Sequence, residues 1–308
     1  MRIAAMAAGA VGGYFGARLA AAGHDVFFIA RGANLAAIKA NGLKIESVHG
    51  DLHLPKVNVT DDPKDVGPVD IVLFAVKLWD TEHAAELTKP LVNEATRVIT
   101  LQNGIDSLER IAPVLGAEQT VGGVTYIATV IDSPGVIRHT SAFAKMSFGR
   151  ADKQPDAMLD AFVAAGKAAK IDLDLSPDIQ RERWEKFIFL TAMSGATAGL
   201  RSTIGPILAD PELRAFFKQL LDEALAVGLA KGIALNPAFA DVRMAEMETR
   251  VPPEMKASMA HDLERGNRLE LDWLSGTVRA VGRELGVPTP ASDTVWKVLK
   301  LHKMGAQH

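Results

Sequence analysis

The stretch that decides the fold is MRIAAMAAGAVGGYFG, residues 1–16, in which an apolar run passes into a second run of small and aromatic residues. The first run predicts a strand over Arg2–Ala7, and the second predicts a helix over Val11–Ala22. The turn between them carries glycine at Gly9 and Gly12. A strand, a glycine-bearing turn and a helix in this order indicate the first βαβ unit of a doubly wound α/β sheet.

The turn itself, AAGAVG, matches the spacing G-x-G-x-x-G at two of its three glycines. In that loop the middle glycine lets the backbone approach a pyrophosphate, and the last lets the helix pack against the strand. Gly9 and Gly12 hold these positions, while Ala7 replaces the glycine of the tight turn, where a methyl group fits if φ stays negative. Because helix N-termini attract phosphate, the pattern favours a dinucleotide loop over an ordinary turn of small residues. The expected cofactor-binding residues of the loop are Ala7, Ala8, Gly9, Ala10, Val11 and Gly12.

Arg31 is the first polar residue after the second predicted strand, Val26–Ala30. At this place an acidic residue accepts a hydrogen bond from the 2′-hydroxyl of NAD, whereas an arginine accommodates the 2′-phosphate of NADP. The neighbours of Arg31 are not acidic. The sequence therefore predicts NADP(H) as the cofactor, with Arg31 contacting its 2′-phosphate. A solvated surface arginine is the alternative interpretation.

Short apolar runs alternate with helical patterns through the first half of the chain, which is typical of a parallel sheet with crossover helices. The segment LKIESVHGDLHLPKVNV predicts short antiparallel strands within this alternation. Residues 121–149 have the composition of a meander of strands, which a turn signal at Ser133, Pro134 and Gly135 interrupts. The other expected strands are Val69–Ala75, Arg97–Leu101 and Ile171–Leu175, and the other expected helices are Asn34–Asn41, Thr81–Leu91, Ile105–Val114 and Pro155–Ala169.

Beyond Ser176 the pattern is helical almost throughout, and prolines stand near several expected helix starts. The predicted fold class is α/β: a Rossmann-type doubly wound sheet over residues 1–175, followed by an all-α domain over residues 176–308. The helices expected in the second domain are Asp178–Ala198, Pro211–Lys231, Pro237–Thr249, Pro253–Gly266, Leu269–Leu285 and Ser292–His302.

Composition narrows the classes of partner and ligand. The 308 residues carry a net charge of −3 without long charged runs, so nucleic acid and membrane surfaces are poor partners. The lack of cysteine excludes disulfides and thiolate chemistry and is typical of a cytoplasmic protein. The N-terminal apolar run approaches a signal-peptide profile, but four glycines and Arg18 interrupt it. His49 and His53 flank an aspartate, yet surface histidines are a better interpretation than a metal site.

Five short motifs follow one another along nearly the whole chain: AVKLWDT, LQNG, RWEKF, SMAHDLERGNRLELD and LGVPTP. In this order they resemble the ketopantoate reductase (2-dehydropantoate 2-reductase) family. The resemblance implies that the second domain is similar to the helical domain of 6-phosphogluconate dehydrogenase. It also implies NADPH-dependent reduction of 2-dehydropantoate to (R)-pantoate, a step of pantothenate and coenzyme A biosynthesis.

The resemblance also implies roles for single residues. Lys186 of RWEKF matches the general acid, and a lysine suits that role because hydride addition leaves an alkoxide that needs a cationic proton donor. Asn103 of LQNG matches a residue that bridges the nicotinamide ribose and the substrate. Ser258 matches a residue that binds the substrate carboxylate. The remaining matches lie on the cofactor side: Lys77, Glu270 and Ala128, whose backbone is expected to contact the nicotinamide.

Ser258 and Glu270 stand twelve residues apart. If one straight helix carried both, about 18 Å would separate them along its axis. They serve one site only if the helix breaks between them, as at Gly266, or if they touch different parts of cofactor and substrate. We favour the second interpretation.

Leu190 and Ser194 depart from the family pattern, which expects asparagine four and eight residues after the lysine. With Lys186 they form one helical stripe, so we expect both to face the substrate. A lost polar contact worth about 1–3 kcal/mol changes substrate preference about tenfold to a hundredfold, unless neighbouring side chains compensate. The alternatives are a reductase for a more apolar 2-oxo acid and a catalytically idle NADP(H)-sensing protein. The final helix and the stretch SGATAGL are candidates for a homodimer interface.

Overall fold

The computed structural model describes residues 1–306, except for the side chains of Glu248 and Arg250. The chain divides into two compact units, with the boundary between Ile179 and Gln180. Among the described residues, no helix is both long and apolar enough to cross a membrane.

A single ten-stranded sheet organises the first unit. The strands are β1 (Arg2–Met6), β2 (Asp25–Ile29), β3 (Leu43–Ser47), β4 (Leu52–Leu54), β5 (Asn58–Thr60), β6 (Ile71–Phe74), β7 (Arg97–Thr100), β8 (Thr120–Ser133), β9 (Val136–Gly149) and β10 (Asp172–Leu175). They lie in the order β4-β3-β9-β8-β7-β6-β1-β2-β5, and β10 pairs with β9. The central strands β1, β6 and β7 are mostly apolar, and all their residues except Arg2 and Arg97 are buried, as is typical of parallel strands covered on both faces.

The strands from β8 to β5 in this order run parallel to one another, as a Rossmann-type sheet requires. β8 and β9 form a long antiparallel hairpin, whose turn falls at Pro134 and Gly135 as expected. The predicted doubly wound α/β fold is therefore confirmed. The helices of this unit are α1 (Ala10–Ala21), α2 (Gly32–Asn41), α3 (Thr81–Thr88), α4 (Ser107–Leu115) and α5 (Ala157–Ala168).

One expectation about the segment LKIESVHGDLHLPKVNV is wrong. β3 and β4 pair antiparallel, as predicted. β5 instead lies at the far edge of the sheet and runs parallel to β2, with Val59 opposite Phe28. Alternation of apolar and polar residues fixes which face a strand buries but not which neighbour it joins. The outer edge of β2 needs a partner for its backbone groups, and β5 supplies it.

Helices form the second unit. They are α6 (Ile179–Gly199), α7 (Ile204–Ala209), α8 (Pro211–Ala230), α9 (Phe239–Arg250), α10 (Ser258–Glu264), α11 (Ser275–Leu285) and α12 (Pro290–Leu299). The sequence pattern predicts most of these helices but misses α7, which is short and begins within a run that contains glycine and proline.

The helix expected over Pro253–Gly266 is shorter than predicted and begins only at Ser258. The carbonyl oxygens of Pro253 and Met255 accept the backbone N–H groups of the first two residues of α7. Because these carbonyls are used outside their own segment, they do not close a helical turn within it.

Glu223 of α8 is buried and holds the start of α12. Its two carboxylate oxygens accept the backbone N–H groups of Ala291 at 2.7 Å and Ser292 at 2.8 Å. The N-cap residue of α12, Thr289, makes no side-chain cap of its own. The neighbouring helix therefore supplies the cap, and its negative charge faces the positive end of the α12 dipole.

Candidate active site

The cofactor-binding residues expected in the first unit gather at one edge of the sheet. β7, β6, β1 and β2 are parallel neighbours, so the loops that follow their carboxyl ends lie side by side. This is the edge at which open α/β sheets bind ligands. Ala128 lies on β8, which continues past this edge. The loops carry residues 7–9, Arg31, Lys77 and Asn103.

The glycine loop has the shape that a dinucleotide needs. Gly9 is the N-cap of α1 with φ −80° and ψ −165°, a conformation open to any residue. A Cβ at Gly9 would meet no atom within 4 Å, so the fold itself does not require glycine there. A Cβ at Gly12 would instead collide with the carbonyl oxygen of Ala7. Gly12 thus serves the packing of helix on strand, while the space at Gly9, in front of a helix N-terminus, fits a pyrophosphate.

Ala7 and Ala8 are tied to the surrounding elements. Ala7 has no positive φ, so its methyl group is tolerated as expected. The N–H of Ala8 donates to the carbonyl of Ile29 at 2.7 Å, and the side-chain amide of Asn34 donates to the carbonyl of Ala8 at 3.0 Å. Asn34 also accepts the N–H of Gly135 at 2.9 Å. Sequence reasoning does not find Asn34, because its partners are far away along the chain.

Arg31 is the N-cap of α2 and carries an exposed guanidinium. Its side chain is 63% exposed and lies 3.6 Å from the carboxylate of Asp80, which is itself 40% exposed. Ion pairs between such exposed side chains are weak. The guanidinium is therefore accessible to a phosphate, and Asp80 is a neighbour that the sequence pattern does not reveal.

Buried Gln102 joins the loops that carry Lys77 and Asn103. Its side-chain amide donates to the carbonyl of Val76 at 3.1 Å and to the hydroxyl of Thr81 at 2.8 Å. Lys77 is exposed and Asn103 is half-buried. Gln102 thus fixes the spacing of the two loops, and its only sequence signal is its place beside Asn103 in LQNG.

Lys186 lies in the middle of α6, half-buried and one turn after buried Arg183. The pKa of Lys186 is lowered to about 8, chiefly by burial; the Glu270 carboxylate opposes this shift and the Arg183 guanidinium adds to it. All three groups belong to the second unit. An ammonium group with a pKa close to neutral pH exchanges its proton readily, as a general acid must.

The helix that carries Ser258 ends before Glu270. α10 ends before Gly266, which adopts a φ of +68°, so the two residues do not share a straight helix. Glu270 is 7% exposed and acts electrostatically on Lys186. Ser258 is exposed, and the residue before it donates its N–H to the hydroxyl of Thr197 in α6 at 3.3 Å. Thr197 stands eleven residues after Lys186, or about 16 Å along the axis of α6. The residue before Ser258 therefore contacts the C-terminal half of α6, whereas Lys186 lies in its N-terminal half.

Leu190 and Ser194 continue the face of α6 that carries Lys186, since this helix is unbroken from Ile179 to Gly199. Leu190 is half-buried and Ser194 is fully buried. Among the residues that the structure describes, the Ser194 hydroxyl has no hydrogen-bond partner. Buried hydroxyls without partners are uncommon and unfavourable, but a side chain with no exposed surface does not itself offer a contact to a ligand in this structure.

The histidines considered for a metal site bond to the backbone instead. His49 Nε2 lies 3.0 Å from the carbonyl oxygen of Ala142, and His53 Nε2 lies 3.0 Å from that of Asn41. Within the described part of the chain, no three His, Asp or Glu side chains are grouped as metal ligands would be.

Known proteins match this chain along nearly its whole length. The family model described as ketopantoate reductase PanE/ApbA matches residues 3–153, and the model of the C-terminal part of the same family matches residues 178–303. A 2-dehydropantoate 2-reductase of Mesorhizobium japonicum is 30% identical over 321 aligned residues, which cover 97% of each chain. The crystal structure of 2-dehydropantoate 2-reductase from Geobacter metallireducens GS-15 is 32% identical, with a TM-score of 0.90 over 98% of this chain and 99% of that one.

The fold is shared with more distant enzymes. The ternary structure of D-mandelate dehydrogenase with NADH and anilino(oxo)acetate has a TM-score of 0.89 and covers 98% of both chains, at 20% identity. At that identity the likeness concerns the fold alone. The two family models and the 2-dehydropantoate 2-reductases decide the family. The chain belongs to the ketopantoate reductase family and is an oxidoreductase of the 2-dehydropantoate 2-reductase type.

Proposed function

We propose that the protein reduces 2-dehydropantoate to (R)-pantoate with NADPH, a step of pantothenate biosynthesis. The observation that carries this proposal is Lys186, a half-buried lysine of α6 whose pKa is lowered to about 8, chiefly by burial, and on which the charges of Glu270 and Arg183 act in opposite directions. A 2-oxo acid reductase needs such a group because the carbonyl oxygen gains negative charge as hydride arrives and must be protonated. Membership of the ketopantoate reductase family supports the same reaction.

The first unit would hold the cofactor. The backbone at Gly9 and the N-terminus of α1 suit the pyrophosphate, and Arg31 suits the 2′-phosphate, for which it would give up its weak pairing with Asp80. Lys77 and Asn103, in the adjacent loops, would bind the rest of the dinucleotide. When bound, NADPH supplies the hydride.

The second unit would hold the substrate and manage the proton. Lys186 donates a proton to the oxygen at C2. Ser258 is the family match for the carboxylate contact, although its neighbour Ala257 contacts α6 at Thr197, eleven residues after Lys186. The negative charge of Glu270 raises the pKa of Lys186 against the effect of burial, so it helps to keep the lysine protonated at neutral pH.

A second substrate class is favoured by Leu190. A leucine on the Lys186 face of α6 offers no hydrogen bond to the distal hydroxyl of 2-dehydropantoate and favours an apolar side chain instead. D-mandelate dehydrogenase, by its name, acts on a 2-hydroxy acid with a phenyl group, so the shared fold accommodates such a side chain in that protein. The second candidate is therefore reduction of a 2-oxo acid with a branched or aromatic apolar side chain.

Steady-state oxidation of NADPH distinguishes the two candidates. The assay compares 2-dehydropantoate with 2-oxo-3-methylbutanoate and phenylglyoxylate, for the native protein and for Leu190→Asn. The first proposal expects the highest kcat/KM for 2-dehydropantoate. The second expects an apolar acid to lead, and expects Leu190→Asn to shift the ratio toward 2-dehydropantoate by about tenfold. Lack of turnover with every 2-oxo acid, by protein that binds NADPH, would contradict both.

A further inference from the structure

The β8–β9 hairpin is irregular at two places, a short one between Ile131 and Ser133 and a longer one at Ala128. Pairing is regular up to Ile127 and resumes at Thr129. Between these two points β8 contributes one residue, Ala128, whereas β9 contributes four, residues 140–143. We call residues 140–143 the β9 bulge. The β9 bulge removes the regular ladder partner of Ala128.

Side chains replace that ladder partner. The N–H of Ala128 donates to Ser141 Oγ at 2.9 Å, and the Ser141 hydroxyl donates to the carbonyl of Phe143 at 2.7 Å. Nε2 of His139 lies 3.1 Å from the same carbonyl and 3.0 Å from Ser141 Oγ. Because a carbonyl oxygen only accepts, Nε2 carries the proton of the ring. Ser141 is thus fixed by His139 and Phe143 in the position that binds Ala128.

His139 is in turn held from several sides. Its ring is 2% exposed, and burial lowers its pKa, so the neutral ring accepts through Nδ1 from the hydroxyl of Ser47 at 2.8 Å. The ring of His49 lies 5.0 Å away, and His49 Nε2 bonds the Ala142 carbonyl within the β9 bulge. The ring of Tyr14 in α1 lies 4.8 Å from that of His139. The β9 bulge is therefore anchored to β3 and to the helix that begins at the glycine loop.

We propose that Ser141 and His139 are positioning residues for the nicotinamide end of the cofactor and act through the backbone of Ala128. This rests on the proposed function and on the family match of Ala128, whose backbone is expected to contact the nicotinamide. The N–H of Ala128 and the carbonyl of Ile127 belong to one planar peptide unit, so Ser141 sets the plane of both. Bulges are enriched beside active sites, where they redirect a residue. Because Ser141 orders this peptide plane before the cofactor binds, the free energy of binding does not include the entropic cost of ordering it.

A comparison of two ligands distinguishes a role in positioning the nicotinamide from a role in the stability of the whole unit. NADP⁺ carries the nicotinamide, whereas 2′-phospho-ADP-ribose is the same molecule without it. In calorimetric titrations of the full chain, Ser141→Ala is expected to weaken NADP⁺ binding about fivefold to tenfold, the value of one hydrogen bond, and to leave 2′-phospho-ADP-ribose binding within about twofold. Ser141→Thr keeps the hydroxyl and should restore NADP⁺ binding.

Ser147→Ala is the matched control on the same strand. The Ser147 hydroxyl is buried and has no hydrogen-bond partner in the part of the chain described, so its loss should change neither affinity. His139→Ala is the second variant and should reproduce the selective loss of NADP⁺ affinity, since it releases Ser141.

Three results would overturn the inference. Native affinity for NADP⁺ in Ser141→Ala would remove Ser141 from any positioning role. Equal weakening of both ligands would assign it to the stability of the unit instead. A native protein that binds neither NADP⁺ nor NAD⁺ would overturn the proposed function first, and the inference with it, so the two failures are distinguishable.

Discussion

Gly9 and Gly12 stand in one loop, yet different neighbours constrain them. A Cβ at Gly12 collides with the backbone of Ala7, whereas one at Gly9 meets open space. We expect Gly12→Ala to lower the free energy of unfolding by about 1–3 kcal/mol through overpacking, and Gly9→Ala to change it by less than about 0.5 kcal/mol. Gly9→Ala should instead weaken NADPH binding about tenfold or more, because its methyl group occupies space offered to the pyrophosphate. Urea unfolding and NADPH titration measure the two effects, and a fully stable Gly12→Ala would contradict the packing argument.

We expect Lys186 to determine how the rate of reduction depends on pH. Its pKa is lowered to about 8, so the ammonium form predominates at neutral pH and is lost as pH rises through that value. Since reduction consumes the proton, kcat/KM, which reports the pKa of the free enzyme, should fall about tenfold per unit above about pH 8. Lys186→Arg keeps its charge throughout this range but hardly releases a proton, so its rate should be lower and should not decline with pH. Profiles of kcat/KM against pH measure both.

Truncation of the same side chain tests its role directly. Lys186→Ala should lower kcat by about a hundredfold to ten-thousandfold, the usual contribution of a positioned acid. NADPH binding, which we assign to the first unit, should stay unchanged and serves as the control. Native turnover in this variant would exclude Lys186 as the proton donor.

Local motifs locate some residues of the candidate site and not others. Lys186 and Arg31 can be found in the sequence because each belongs to a recognisable pattern, a family motif in one case and the end of a strand in the other. Gln102, Asn34 and Asp80 act on partners that are distant along the chain. A hydrogen bond between separate loops leaves no periodicity or spacing in either loop, so only the fold reveals it.

At the scale of the element, α12 depends on its neighbour α8 for its first turn. Glu223 accepts two backbone N–H groups there. Glu223→Gln should lower the free energy of unfolding by about 1–3 kcal/mol, because the amide keeps one acceptor oxygen and turns a donor toward a donor. The matched control is Glu284→Gln on the exposed side of α11, with a change below about 0.5 kcal/mol. Equal stability of both variants in urea would show that the first turn of α12 does not depend on the Glu223 carboxylate.

Elements with their own periodicity are predicted closely, and elements that depend on distant pairing are not. α8, expected over Pro211–Lys231, ends only one residue earlier. The segment before α10 has a helical composition, but its carbonyls serve the start of α7. β5 has a strand composition, but its position beside β2 depends on the outer edge of β2 having no other partner strand within residues 1–306. In both cases tertiary contacts decide what local preference leaves undetermined.

At the scale of the whole molecule, cofactor binding should appear as thermal stability. A ligand present at a hundred times its Kd stabilises the folded state by about 2.7 kcal/mol. For a chain of this size that raises Tm by about 5 °C. Arg31→Ala should lose most of the shift produced by NADPH and keep the smaller shift produced by NADH. Scanning calorimetry measures both, and an NADPH shift that survives in Arg31→Ala would remove Arg31 as the contact for the 2′-phosphate.

The glycine loop also bears on how descendants of this protein would diverge. The chain's own packing requires glycine at Gly12, whereas it leaves Gly9 unconstrained, and we propose that the cofactor supplies the constraint there. In a lineage that abandons the dinucleotide, selection relaxes at Gly9 first, while Gly12 persists for as long as the fold does. Comparison of the two positions across such lineages would therefore record which of them still use the cofactor, independently of any assay.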